Sequence, residues 1–304
     1  MKQPFAALCF FSCLASPLFS QTTIGGGSCS SATLTGPYAV TMSGRAVSGT
    51  AGVLTNVFEA IGSGTFDGLS KVTFALTADT NQAVGTALNW TGTYSVQANC
   101  VATVTITSGG NAKFNLVVYN NGADFLMTGN DSTYAYSAGG NTQPTGCSAA
   151  LLSGVYSITG TGYYGATSTS AGGAGAITGL IQFDGVSNVT MNLTVSANGA
   201  PGGTTQTIPG IAYTGTYTMG SNCVGSATIS NANGSALLTL SVYGAAKTFT
   251  SAFYVGFASN PVGRMFAGTS NAIYGQPTAN ASVFYLDSPD RLDWAAAAQQ
   301  REGI

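Results

Sequence analysis

The alternation of apolar and polar positions predicts β-strands along most of the chain. In WTGTYSV, the large residues Trp90 and Tyr94 fall on one side of an extended strand with Gly92, and the threonines fall on the other. Runs of this kind recur from 37 to 137 and from 155 to 271, and Gly, Asn and Asp separate them. Helical periodicity is missing from both stretches. The pattern predicts an all-β chain with about eight strands in each stretch.

The second stretch repeats the first. TLTGPYAV at 33–40 falls on LLSGVYSI at 151–158 without a gap, and TFDGLSKVTFALT at 65–77 falls on QFDGVSNVTMNLT at 182–194. WTGTY also returns, as YTGTY, and both phrases are followed by a cysteine. Solenoid repeats are 20–50 residues long, whereas this repeat has the length of a domain, so it indicates the duplication of one domain.

Sequential hairpins favour meanders that close into barrels, because closure removes exposed strand edges. We therefore predict two tandem antiparallel meander β-barrels, at 29–138 and 147–277, joined by a linker at 139–146. The tail at 278–304 belongs to neither copy. Its segment SPDRLDWAAAAQQREG has Pro and Asp early and Arg late, which predicts a short C-terminal helix.

The N-terminus predicts export. Residues 1–20 contain one lysine and then a mostly apolar run, followed by small and polar residues, which is typical of a secretory signal peptide. No apolar run of about 18 residues occurs after this segment, so no membrane-spanning helix is expected. We therefore expect a secreted protein, either extracellular or periplasmic.

Two of the six cysteines lie in this signal segment, and Cys29, Cys100, Cys147 and Cys223 remain. An even number of cysteines in an exported chain predicts disulfides, and four cysteines allow three pairings. Spacing alone does not choose among them. If each copy folds alone, however, each closes its own bridge, so we predict Cys29–Cys100 and Cys147–Cys223.

Composition excludes several functions. Charged residues make up 6% of the chain and the net charge is −2, which argues against a nucleic-acid-binding surface. Histidine is absent, so a Ser–His–Asp triad and histidine metal ligands are excluded. Paired cysteines leave no thiol nucleophile and no cysteine zinc site. We expect neither a metal nor a cofactor.

GTGYYG at 160–165 fits the G-x-G-x-x-G pattern of dinucleotide-binding loops. That interpretation requires a helix directly afterwards, and ATSTSAGGAGA does not predict one. We therefore interpret this segment as a loop without a cofactor.

Carboxylates are concentrated in the first copy, and the second copy has only Asp184. A glycosidase mechanism with two carboxylates therefore cannot operate in the second barrel. Glu59, in the apolar run VLTNVFEAIG, is the one weak catalytic candidate. It is either a buried acid with a raised pKa, half of an ion pair with Arg45, or a residue at the rim of a barrel mouth. We assign no catalytic residue.

Each copy carries L-x-G-x-Y, then F-D-G-x-x-x-V, then T-G-T-Y followed by a cysteine. These phrases resemble a domain of secreted bacterial proteins similar to allene oxide cyclase-like barrels of the calycin (lipocalin-like) type. The resemblance covers 29–277 as two copies and implies a barrel that holds one apolar ligand, or a cyclase that shapes a flexible substrate. The family pattern has T-G-T or similar after the cysteine, whereas this chain has CVAT and CVGS. No family catalytic residue maps onto it.

The leading hypothesis is a monomeric, secreted, non-catalytic protein that binds a small apolar molecule or acts at the cell surface. In the first version the ligand contacts Trp90, Tyr94, Tyr213 and Tyr217. The alternatives are a cyclase or isomerase that works by pocket shape, with Glu59 or a tyrosine as proton donor, and an adhesin-like surface protein. The expected partners are a small apolar molecule or a component of the cell envelope.

Overall fold

The computed structural model describes residues 28–47, 54–80, 83, 85–164, 173–200, 204–232, 234–244, 252–260 and 264–272. The regular structure of these residues is β, apart from short 3₁₀ segments at Ser31–Thr33, Asn120–Gly122 and Ala149–Leu152. The predicted signal peptide at 1–20 and the predicted helix in the tail at 278–304 lie outside the described residues.

The first copy forms a closed antiparallel barrel. Its eight described strands are β1 (Thr35–Val47), β2 (Leu54–Asp67), β3 (Lys71–Thr80), β4 (Thr86–Val96), β5 (Val101–Ser108), β6 (Lys113–Tyr119), β7 (Asp124–Asn130) and β8 (Ala135–Thr142). Each strand pairs with the next one, and β8 pairs back with β1. The ring has no free sheet edge, as the meander pattern predicts.

The second copy has the same strand order. Its described strands are β9 (Ser153–Tyr164), β10 (Gly173–Asp184), β11 (Asn188–Ala200), β12 (Thr204–Met219), β13 (Val224–Asn231), β14 (Gly234–Tyr243), β15 (Ala252–Asn260) and β16 (Arg264–Ala272). Strands β9 to β14 form a curled sheet, and β15 and β16 complete the ring by pairing with β14 and β9. The predicted fold of two antiparallel meander barrels is confirmed.

Each barrel has its predicted disulfide. Cys29 is bonded to Cys100 and Cys147 to Cys223, with Cα–Cα distances of 5.0 Å in both pairs. The second cysteine of each pair has positive φ, 65° and 62°, a conformation that costs residues other than glycine about 1 kcal/mol or more. The bridge ties this tight turn to the segment that precedes β1 or β9.

Two sequence interpretations need correction. Strand β8 continues to Thr142, so residues 139–142 of the predicted linker belong to the first barrel. Glycine at 140 serves packing, because a Cβ there would lie 2.3 Å from Cζ of the buried Phe125 ring. Strand β9 likewise includes all but the last residue of GTGYYG, which we predicted as a loop. Within GTGYYG, Gly160 and Gly162 occupy inward positions of the strand, where an apolar side chain would have marked it as β.

The barrels lie side by side. Strands β1 and β2 of the first barrel contact β14, β15 and β16 of the second. Tyr243 packs on Ala39 and Ile61, and the Ser241 hydroxyl donates to the Gly62 carbonyl at 2.6 Å. This contact between the barrels covers part of the outer side of β2.

Removing either disulfide should destabilise its own barrel. The bridges join residues 71 and 76 positions apart, and loops of that length correspond to about 4 kcal/mol of unfolding free energy on a chain-entropy model. We expect the double variants Cys29→Ser/Cys100→Ser and Cys147→Ser/Cys223→Ser each to lose about this much in urea unfolding. Peptide mapping without reductant checks the pairing, and a peptide linking Cys29 to Cys147 would contradict it.

Candidate functional site

The aromatic residues predicted to contact a ligand lie inside packed cores. In the first barrel, the Trp90 ring lies 6.1 Å from the Phe114 ring and 5.9 Å from the Tyr136 ring, between centroids. The Tyr94 hydroxyl donates to the carbonyls of Ser31 and Leu34, at 3.0 and 2.9 Å. Both side chains are buried, and their contacts are with the protein itself.

The second barrel repeats this arrangement. The Tyr217 ring lies 4.7 Å from the Phe183 ring, and its hydroxyl donates to the Ala149 carbonyl at 2.9 Å. Tyr213 is buried in the same cluster. Burial raises the pKa of Tyr94 and of Tyr217 to about 12. Because each of these two hydroxyls anchors the 3₁₀ segment before its barrel, the repeated phrase TGTY has a structural role in both copies.

Glu59 lies outside the barrel lumen. Phe58 and Ala60 point into the first barrel, so the period of two along β2 directs Glu59 outward. Only 5% of Glu59 is nevertheless exposed, because the second barrel lies against β2. The structure therefore places this acid in the contact between the barrels. It is neither in the lumen nor at an open barrel mouth.

A row of polar side chains crosses three strands at this point. Ser43 on β1 is directly opposite Glu59 on β2, and Glu59 is directly opposite Asp79 on β3. The Ser43 hydroxyl donates to Oε2 of Glu59 at 2.5 Å, and Asp79 accepts from the backbone N–H of Gly85 at 2.7 Å. Two buried carboxyl groups thus occupy neighbouring positions on one outer face.

Both carboxyl groups have raised pKa values. Burial raises the pKa of Glu59 to about 8; the Ser43 hydrogen bond and the positive charge of Arg45 lower it in part, and Asp79 adds to the rise. Burial also raises the pKa of Asp79, to about 6, against the lowering effect of the Gly85 N–H. At neutral pH Glu59 is therefore mostly a neutral acid, and the ion pair with Arg45 is not its main form.

The second barrel contributes Tyr163 to the same cluster. The Arg45 guanidinium carbon lies 6.0 Å from the centroid of the Tyr163 ring, a cation–π distance. The Tyr163 side chain is buried; burial raises the pKa of its hydroxyl, the nearby Arg45 lowers it in part, and Glu59 adds to the rise. Arg45 and Tyr163 also occupy equivalent positions on β1 and β9, as the repeat alignment gives them.

The structure therefore brings together the two residues that the sequence analysis linked, Glu59 and Arg45, with three that it missed. Of these, Ser43 and Asp79 follow from strand register, and Tyr163 comes from the other copy. The cluster can hold and release a proton inside a contact between barrels. Among the described residues, no group of three or more His, Cys, Asp or Glu side chains is placed to hold a metal ion.

A separate pocket of about 370 Å³ lies at one end of the first barrel, beside the Cys29–Cys100 bridge. Ser30, Thr33, Tyr119 and Asn121 are among the residues that line it. Neither Glu59 nor any of the four predicted ligand-contacting aromatic residues does so. The pocket is thus distinct from both predicted sites.

Fold and site together define the class: an all-β protein of two side-by-side barrels with one disulfide in each. No family model matches the chain, and no curated protein matches its sequence. In the part of the chain that the structure describes, no helix has the length and apolar character needed to cross a membrane.

The raised pKa of Glu59 makes stability depend on pH. From pH 4.5, its ordinary pKa, to about pH 8, the unfolded chain loses this proton while the folded protein keeps it. Unfolding is then favoured as pH rises, by up to about 1.4 kcal/mol per unit of the pKa difference. We expect Glu59→Gln to remove this loss of stability, as measured by urea unfolding between pH 5 and 9.

Asp184→Asn is the matched control. Burial raises the pKa of Asp184, but the backbone N–H groups of Val186, Asn188 and Ser187, with the Asn188 side chain, together outweigh burial and lower this pKa to about 2. Its contribution to stability is lost only at acid pH, so the control should keep the wild-type slope between pH 5 and 9. A Glu59→Gln protein with that same slope would show that Glu59 titrates normally.

Proposed function

We propose that the protein is a secreted, non-catalytic two-barrel protein that acts through its outer surface, at the cell surface or in the cell envelope. The observation that carries this proposal is the packing of the first barrel's interior. Export is supported by the sequence of residues 1–20 and by the disulfides, which form and persist in oxidising compartments.

The interior of the first barrel supports a surface role, because aromatic rings occupy its centre. The Phe66 ring has the rings of Tyr38, Phe74, Tyr94 and Phe125 around it, with centroids 5.5, 6.1, 5.0 and 5.6 Å away. An eight-stranded barrel is only wide enough for side chains to fill or for one small ligand. Side chains take that space here, which favours action at the surface over a ligand in the lumen.

The resemblance to calycin-like barrels supports the fold in this proposal and does not extend to an activity. Eight antiparallel strands in a closed meander are consistent with it. The shared phrases around Asp67, Tyr94 and Cys100 serve the scaffold, so they support common architecture more than common activity. A cyclase with Glu59 as proton donor receives less support, because this side chain points away from the lumen.

Outer faces of the two barrels share one chemical feature, which we name the hydroxyl face. Over part of β4 and β5, and of the equivalent β12 and β13, three successive outward residues on each strand are exposed Thr or Ser: Thr91, Thr93, Ser95, Thr103, Thr105 and Thr107, then Thr214, Thr216, Thr218, Ser226, Thr228 and Ser230. Thr93 is opposite Thr105, and Thr216 is opposite Thr228. Such uncharged hydroxyl rows suit a neutral polar partner, such as an envelope polysaccharide.

A filled interior predicts that apolar probes do not reach Trp90. In Trp294→Phe, Trp90 is the single remaining tryptophan. We expect its fluorescence to resist acrylamide quenching and to stay unchanged with equimolar palmitate or anilinonaphthalene sulfonate. Phe66→Ala in the same background, with benzene as the probe, is the positive control, because this truncation opens an apolar cavity that a small aromatic molecule can enter. If a probe binds stoichiometrically to the Trp294→Phe protein, which lacks this cavity, the hypothesis that the barrel binds a small apolar ligand is favoured instead.

A surface role through the hydroxyl face predicts a loss of binding to envelope material when charge is added there. Thr105→Lys/Thr228→Lys adds one charge at equivalent exposed positions of the two barrels, and such changes alter stability by no more than about 0.5 kcal/mol. We expect at least a fivefold loss in pull-down with envelope polysaccharide. Leu69→Lys/Val186→Lys adds the same charge at exposed turns outside the hydroxyl face and should bind like wild type. Equal losses in both variants would indicate non-specific charge effects.

A further inference from the structure

The two barrels meet through faces that are not equivalent. The first barrel uses the outer side of β1 and β2, which we name the front face; its equivalent on the second barrel is the outer side of β9 and β10. The second barrel uses the outer side of β14 to β16, which we name the back face. The equivalent back face of the first barrel is the outer side of β6 to β8. Apart from Tyr163, which lies on β9 at the position of Arg45, one front face and one back face therefore stay outside this contact.

The equivalence of the two back faces can be checked by hydrogen bonds. The Val118 N–H donates to the Cys100 carbonyl and the Val242 N–H to the Cys223 carbonyl, both at 2.9 Å. Val117 in the first barrel therefore occupies the position of Ser241 in the second. Ser241 is completely buried against the first barrel, where its hydroxyl donates to the Gly62 carbonyl.

On the free back face this position carries an exposed apolar pair. Val117 is 36% exposed, and Leu126, directly opposite it on β7, is 59% exposed. Among the described residues, the other large apolar side chains with such exposure are Leu69 and Val186, each on a turn between strands. The back face thus presents the one pair of neighbouring exposed apolar side chains in the described part of the sheets.

The free front face offers this pair a surface without charged side chains. Ser157, Thr159 and Thr178 occupy the positions of Ala39, Thr41 and Ile61, and all three are exposed. The buried acid of the occupied front face, Glu59, is replaced by Ala176. On the opposing back face, Lys113 lies at the far end of β6, whereas Asp124 lies two residues before Leu126 on the same face, where the side-chain amides of Asn120 and Asn141 donate to its carboxylate.

We propose that copies of this chain associate head to tail, with the front face of the second barrel of one copy on the back face of the first barrel of another. The contact repeats between chains the one already made within each chain. A heterologous contact of this kind continues from copy to copy, and gives a ring if its rotation closes or an open helix if it does not. The inference goes beyond the proposed function and differs from the monomer expected from sequence.

The association should be weak. Within a chain, the short connection between β8 and β9 holds the faces together at an effective concentration of about millimolar, and separate copies lack this advantage. Sedimentation velocity of the full-length mature chain from 10 µM to 1 mM should therefore show a weight-average mass that rises with concentration. A constant monomer mass over that range would overturn the proposal.

Three variants test the faces. Leu126→Lys places a charge on the free back face, and Thr178→Lys places one on the free front face. We expect each to raise the concentration at half-association at least tenfold. Leu69→Lys is the matched control, because this leucine is more exposed, at 75%, yet lies outside both faces, so it should associate like wild type. Circular dichroism and disulfide content establish that all three are folded.

Mixing the two defective variants separates this arrangement from its alternatives. The Leu126→Lys protein keeps a good front face and the Thr178→Lys protein keeps a good back face. An equimolar mixture should therefore form a one-to-one complex and nothing larger. If Leu126→Lys abolishes association while Thr178→Lys has no effect, the contact joins two back faces, and the head-to-tail proposal is wrong. Failure of the mixture to form any complex would overturn it as well.

Discussion

Closure of each sheet is the constraint on which the rest of the structure depends. Because β8 pairs with β1 and β16 with β9, neither ring keeps a free edge, and each strand has one side inside and one outside. An eight-stranded ring is narrow, and in the first barrel the aromatic residues around Phe66 fill it. The interior is therefore set by packing, whereas the outer sides can vary at lower cost. Glu59, Asp79 and Tyr163 all lie on such outer sides.

The duplication shows the same division. Inward residues correspond between the copies, as Tyr38 does with Tyr156 and Tyr94 with Tyr217, and they make similar contacts. On the faces used for the contact, outward residues at equivalent positions differ, as Glu59 does from Ala176 and Val117 from Ser241. The barrels meet through non-equivalent faces, so these equivalent positions have different neighbours. Similar interiors with different contact faces are the result expected when one scaffold is used twice in one contact.

The fold and the disulfide pairing could be predicted because they depend on local alternation and on the repeat. The burial of Glu59 also had a signal in the segment VFEAIG. Phe58 and Ala60 share one side of the strand, while Val57 and Ile61 flank Glu59 on the other. Apolar residues on both sides of a strand indicate that both of its faces are buried. What covers the outer side could not be predicted. The contact of β1 and β2 with β14 to β16 has no local sequence pattern, so Tyr163 could not be linked to Glu59.

Polar groups in the contact between the barrels fix the orientation of one barrel on the other, which apolar packing alone cannot do. Two barrel walls in apolar contact can slide or rotate, because hydrophobic attraction has no direction. Here Gln143 accepts from Ser63 at 2.7 Å and donates to Ser241 at 3.2 Å. Such bonds need their partners within about 3 Å, so they fix how one barrel sits on the other.

Glu59 belongs to the same contact, and in its neutral form it carries a hydroxyl that can donate as well as a carbonyl that accepts. An acid with a raised pKa therefore fits this position, since ionising it would place a buried charge in the contact that sets the arrangement of the barrels.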